Sequence, residues 1–195
     1  MDVAGQANGW LEGVTFDWKV SNEQPGTPTG YSWYYEYTVW VSKFAPRRLL
    51  IETDPDVDAG DITNVTLTHN GLVEAYDSSK WSVRTHTAAD NNGGLPADTY
   101  GILFDSIGTG SGSNETVMMS FWSNAAPRWG DFYTRCDGNG NRAFNTTFTD
   151  VDPIGAVSSG SLMGHVLVPG VVPEPAIATV ALAGGLLCLT RRRSR

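Results

Sequence analysis

The sequence predicts an all-β domain, an antiparallel β-sandwich, followed by a single C-terminal transmembrane helix. Three observations carry this. Short runs rich in aromatic and β-branched residues recur at intervals of about ten positions. Glycine, Asn, Asp and Pro cluster between them. An apolar run free of charge follows Pro175 and ends in arginines. Within the sandwich class the expected arrangement is jelly-roll-like rather than seven-stranded and immunoglobulin-like.

The strand elements follow in order. Tyr34-Tyr35-Glu36-Tyr37-Thr38-Val39-Trp40-Val41 is dense in residues that suit a pleated, partly buried surface. Its alternation puts Trp33, Tyr35 and Tyr37 on one face and Tyr34 and Glu36 on the other. Further strands are expected at Leu49–Glu52, Val65–Thr68, Val73–Tyr76, Tyr100–Phe104, Val117–Trp122, Asp131–Tyr133, Phe144–Phe148 and His165–Val168. Turn signals fall at Pro25-Gly26, Asn70-Gly71, Asp90–Gly94, Gly108–Ser113 and Asp137–Asn141. Gly155–Gly164 reads as a loop, and Pro169–Val172 as a short spacer. Before Ala176 no segment has a sustained helical period with caps at both ends.

At 195 residues the chain accommodates one domain, residues 1–168, and an appendage, residues 169–195. Apolar residues at 41% supply a core, which excludes wholesale disorder. Every one of the 21 acidic residues precedes Ala176, against nine basic ones, so the body carries −12 and the tail +4. A body that acidic argues against a nucleic-acid partner, since phosphate binding needs clustered Lys and Arg. The two cysteines, Cys136 and Cys188, make neither a disulfide scaffold nor a zinc site.

For chemistry in the body, Asp54-Pro-Asp56-Val-Asp58-Ala-Gly60-Asp61 stands out. Alternating carboxylates in a loop are what Ca²⁺ requires, making Asp54, Asp56, Asp58 and Asp61 candidate ligands. Against the EF-hand pattern the glycine comes one place late, and Val65 replaces the closing Glu. A solvated acidic turn is therefore the leading expectation, with no metal or cofactor. Asp137-Gly-Asn139-Gly-Asn141 fits a hairpin turn better than a calcium loop. Trp33, Tyr35, Trp40, Trp81, Trp122 and Trp129 suit either a core or a sugar-stacking platform, and the core is expected. No GxSxG, HExxH or phosphate-loop motif occurs, and His69, His86 and His165 lack metal-ligand spacing. Glu12, Glu36, Glu52, Glu74 and Glu115 could supply a glycosidase carboxylate pair, but linear sequence shows none. The expectation is a non-enzyme, with a carbohydrate-binding module as the alternative and a β-sandwich hydrolase after it.

In the tail, Ala176–Thr190 is 15 uncharged residues. As a helix it spans about 22 Å, short of a hydrocarbon core of about 30 Å. Bilayer thinning and Arg snorkelling would let it cross. The arginines remain cytoplasmic and place the body on the far side. Pro173 and Pro175 keep the preceding chain extended, and Glu174 suits the positive end of the helix dipole.

Pro173-Glu174-Pro175, the apolar segment and Arg191, Arg192, Arg193 and Arg195 together resemble the PEP-CTERM sorting signal of Gram-negative bacteria. That resemblance covers about the last 24 residues. It implies recognition of Pro173, Glu174 and Pro175 by exosortase, a membrane-embedded, cysteine-dependent protease or transpeptidase. It also implies transient anchoring in the inner membrane through residues 176–190, with the arginines as the stop signal. The processed protein would then reach the cell surface or extracellular space, in a setting of exopolysaccharide and biofilm. Tyr100-Gly-Ile-Leu-Phe-Asp105 and Ala126-Pro-Arg-Trp-Gly-Asp-Phe-Tyr133 resemble recurring pieces of one ectodomain type of these proteins. Such proteins begin with a Sec signal peptide, which MDVAGQANGW does not resemble; the expectation is a start assigned downstream of the true one, or a fragment, with MDVAGQANGW resembling the beginning of the mature region.

Overall fold

A computed structural model describes residues 3–6, 13–22, 24–108, 113–136, 141–154, 156–158 and 160–171. Pro173, Glu174, Pro175, the expected helix 176–190 and the Arg cluster lie outside the described residues. The described chain is all-β and antiparallel. It contains thirteen strands and two short 3₁₀ turns, Ala59–Asp61 and Ser78–Lys80. No helix among the described residues is long and apolar enough to cross a membrane.

One sheet has the order β2 (Val14–Ser21), β3 (Trp33–Lys43), β9 (Ser113–Ser123), β5 (Ile62–His69), β6 (Leu72–Ala75). The other has β1 (Val3–Gln6), β12 (Arg142–Asn145), β11 (Phe132–Arg135), β4 (Arg48–Glu52), β8 (Thr99–Asp105), β7 (Trp81–His86). A separate ladder pairs β10 (Ala126–Gly130) with β13 (Val166–Gly170).

Alternation places the core. On β3, Tyr35, Tyr37, Val39 and Val41 are fully buried, whereas Tyr34, Glu36, Thr38 and Trp40 face outward. The buried set shares one cluster with Phe16 and Phe121 from its own sheet and with Leu49, Ile51, Ile102, Phe104 and Phe132 from the other. Beyond the six-stranded sheet, Leu50, Leu103 and Tyr133 pack with Leu95 and Phe148 from loops. Both faces of β4 are therefore covered, which explains its unbroken apolar run.

Asn70-Gly71 forms the two-residue turn between β5 and β6, with φ of +49° and +83°. Those angles are what a type I′ hairpin requires. Four strands go beyond the expected set: β1, β2, β7 and β10. The last strand also runs further than expected, because Pro169 and Gly170 pair with Pro127 and Ala126 rather than acting as a spacer. Pro169 lies directly opposite Pro127, in a two-stranded ladder where missing N–H groups are tolerated.

Candidate functional site

Two ladder registers build the site. Gly130 pairs with Val166, so the residue after one and the residue before the other, Asp131 and His165, meet just past the ladder end. Phe132 pairs with Ile51, which sets Asp131 beside Glu52. The Glu52 amide donates to the Asp131 carbonyl at 2.9 Å, and the Asp131 amide donates to Glu52 Oε2 at 2.9 Å. Gly130 leaves the space for this: a Cβ there would sit 2.6 Å from Val168 Cγ2 and 3.2 Å from Glu52 Oε2.

Around this junction, four carboxylates surround one guanidinium and one imidazole. Arg128 bonds Glu52 Oε1 at 3.0 Å, pairs with Asp54 Oδ1 at 3.2 Å, and donates to Asp152 Oδ2. His165 Nδ1 lies 2.9 Å from Asp131 Oδ1 and 3.4 Å from Asp152 Oδ1. Asn145 Nδ2 donates to the same Asp131 oxygen, and its Oδ1 accepts from the Phe132 amide at 3.1 Å. The Asp131–His165 pair is almost wholly buried, at 5% and 2% side-chain exposure.

Burial is the main reason that the Glu52 carboxyl is pushed up to about 7, with the charge of Asp152 adding to it and Arg128 opposing it. Asp131 is also raised to about 7, chiefly by burial; Asn145's hydrogen bond works against the shift and Asp152 reinforces it. Burial disfavours a charged Arg128, yet Glu52, Asp54 and Asp152 outweigh it and raise its pKa.

The cluster opens into a cleft of about 500 Å³, lined by Asp54, Asp98, Tyr100, Phe148 and Asp150 among others. Asp131, Asp152 and His165 each bring one potential ligand atom within 4.8 Å of the others. The arrangement is suited to holding a cation or the polar rim of a small ligand. Both oxygens of Glu52 and Oδ1 of Asp131 are already engaged, by Arg128, a backbone amide, Asn145 and His165.

The acidic loop singled out in the sequence is divided by the fold. Asp58 Oδ1 accepts from the Gly60 amide at 2.6 Å and Asp61 Oδ2 from the Asp58 amide at 2.8 Å, a capping box on the 3₁₀ turn. Asp54 turns the other way, to Arg128 and the Val171 amide, and Asp56 is exposed. Asp56 and Asp61 also line a second cleft, of about 330 Å³. Among the described residues, the grouping with metal-ligand spacing is Asp131, Asp152 and His165 instead.

Of the candidate glutamates whose side chains are described, Glu52 enters the large cleft; Glu36 contacts Tyr34, and Glu115 contacts His69 and Asn70. Tyr35, Trp122 and Trp129 are buried and Trp33 and Trp81 pack against the core, which leaves Trp40, 37% exposed, as the one of the six that faces solvent. His165 was missed as a candidate because its partners lie 34 and 13 positions away in sequence. One signal was available: Arg128 and Asp131 are charges set inside the apolar stretch Ala126–Tyr133, and Tyr100 belongs to the other piece that carried the resemblance.

Comparison with protein-family models, with characterised proteins and with solved structures finds no match to this chain.

Proposed function

We propose that the protein is an exported, non-enzymatic surface or extracellular-matrix protein, sorted and processed by exosortase. Its role is structural or adhesive, linked to exopolysaccharide or biofilm. The observation that carries this is the ordered tail: Pro173-Glu174-Pro175, then Ala176–Thr190, then Arg191, Arg192, Arg193 and Arg195. The all-β body supports it, since its last strand closes at Gly170, three residues before the motif.

The body is read as a two-sheet sandwich of jelly-roll type. Antiparallel pairs nest in sequence: β5 with β6, β4 with β8, β3 with β9, alternating between the sheets. A long hairpin ribbon rolled around a core produces that nesting. The added pairs β5–β9 and β4–β11 are the contacts the roll brings together. One departure is that β12, not an early strand, occupies the place beside β11, with β1 outside it.

Carbohydrate binding is the second reading, favoured by the cleft in which Tyr100 and Phe148 stand among carboxylates and Arg128. Intact-mass analysis of the protein from its native host, with and without exosortase, tests the first reading alongside cell fractionation. A mature form that lacks the segment from about the Pro-Glu-Pro motif onward, found outside the inner membrane only when exosortase is present, supports it. An intact chain in the cytoplasm overturns it. Retention on a polysaccharide column, lost in Tyr100→Ala, tests the second.

A further inference from the structure

We propose that Asp131, Asp152 and His165 bind one divalent first-row transition cation, Zn²⁺ foremost. The proposal concerns the body alone and stands apart from the sorting tail.

The three ligands come from three segments: the β10–β11 junction, the loop after β12, and the residue ahead of β13. Their ligand atoms nevertheless lie within 4.8 Å of one another. The two carboxylates are each oriented by a neighbour. Arg128 holds Asp152 through Oδ2, which leaves Oδ1 facing His165 at 3.4 Å. Asn145 holds Asp131 and is itself fixed by the Phe132 amide. Ligands of a metal are ordinarily positioned by such outer partners.

A second observation points the same way. Thr53 is 1% exposed and lines the same cleft, and its hydroxyl has no hydrogen-bond partner. A buried, unpaired oxygen costs free energy, and a water or metal-bound ligand in the cleft would supply its partner. The surroundings add to this: Glu52, Asp54 and Asp152 converge on the single guanidinium of Arg128, so the three ligands stand in a setting rich in carboxylate oxygens.

The ligand set selects the metal. One imidazole with two carboxylates suits Zn²⁺ and its first-row neighbours, whereas Ca²⁺ prefers oxygen alone. On binding, the cation would sit between His165 Nδ1 and the carboxylates, with the imidazole neutral and its one N–H at Nε2. Three protein ligands leave a coordination position for water or a ligand from the cleft.

The test uses the full chain, stripped with chelator, and isothermal titration with ZnCl₂. Co²⁺ serves as the spectroscopic probe. Expected are a single site, visible Co²⁺ bands displaced by Zn²⁺, and a higher melting temperature with metal. Asp152→Asn carries the test, because that side chain is partly exposed and His165 is buried. It weakens Zn²⁺ binding by about tenfold or more, in line with losses of ligand-supporting groups. Asp56→Asn, on the separate acidic loop, leaves binding unchanged. No binding at millimolar Zn²⁺, equal affinity in Asp152→Asn, or Ca²⁺ bound as tightly as Zn²⁺ each overturns the proposal.

Discussion

Phe16 on β2 and Phe132 on β11 come from different sheets, yet their rings stack with centroids 3.7 Å apart and planes 6° from parallel. Both are buried, at 1% and 0% exposure. Their contact is therefore a direct probe of whether the two sheets share one core. Truncating Phe16 to Ala removes a buried ring and leaves a cavity, a change that costs about 3–5 kcal/mol. For a chain of this size each kcal/mol lowers Tm by about 2–4 °C, so the expected drop is roughly 6–20 °C. Phe132→Ala loses a similar amount. The double variant loses less than the sum, by about 0.5–1.5 kcal/mol, because a stacked aromatic pair contributes that much beyond its area. Urea denaturation followed by Trp fluorescence reads all three variants, with an unchanged m-value required for the comparison. If the Phe16→Ala loss stays under about 1 kcal/mol and the two changes add within about 0.5 kcal/mol, the shared core is refuted.

Gly101→Ala on β8 puts a Cβ 2.2 Å from the Ile51 carbonyl oxygen and 3.0 Å from Glu52 Cα, backbone atoms that cannot rotate away. The β4–β8 ladder then has to part, at a loss of about 3 kcal/mol in denaturation; a neutral result refutes that packing. Arg48, 8% exposed, donates through Nε at 3.1 Å and Nη2 at 2.8 Å to Asp105. Asp105→Ala strands that cation and costs roughly 2 kcal/mol, below the full buried-pair figure because Asp105 is 35% exposed; a loss under about 0.5 kcal/mol counts against the pair. His86 is buried with Nε2 3.2 Å from the Gly101 carbonyl, and burial, then Arg84, holds its pKa below the ordinary value. The unfolded chain therefore takes up a proton near pH 6.5 that the folded one refuses, so its stability contribution is intact above that pH and lost below it. His86→Gln flattens the acid side of the stability–pH curve, and an unchanged slope refutes the assignment.

Much of the architecture was legible because alternation acts locally. Tyr34–Val41 declares which side chains turn inward, and Asn70-Gly71 declares its hairpin, from neighbouring residues alone. Val14–Ser21 alternates as cleanly, so β2 was also within reach of the same rule. Strand partners were not legible. The pairs β3–β9, β4–β8 and β4–β11 join segments far apart in sequence, and a strand's pattern specifies its buried face rather than its neighbour.

The same division separates the two acidic features. The Asp54–Asp61 run is conspicuous because its carboxylates are contiguous, and contiguity lets Asp58 and Asp61 satisfy a local turn. Glu52, Arg128, Asp131, Asp152 and His165 become a cluster only through the registers of β10 with β13 and of β4 with β11. Sequence alone determined the strand-forming alternation, the turns, the acidic body and the basic, motif-bearing tail, all of which depend on residue type and near neighbours. The tertiary structure decided which carboxylates are buried together around one arginine and one histidine, because desolvation and charge repulsion act through space and take effect only once the sheets have brought those groups within a few ångströms.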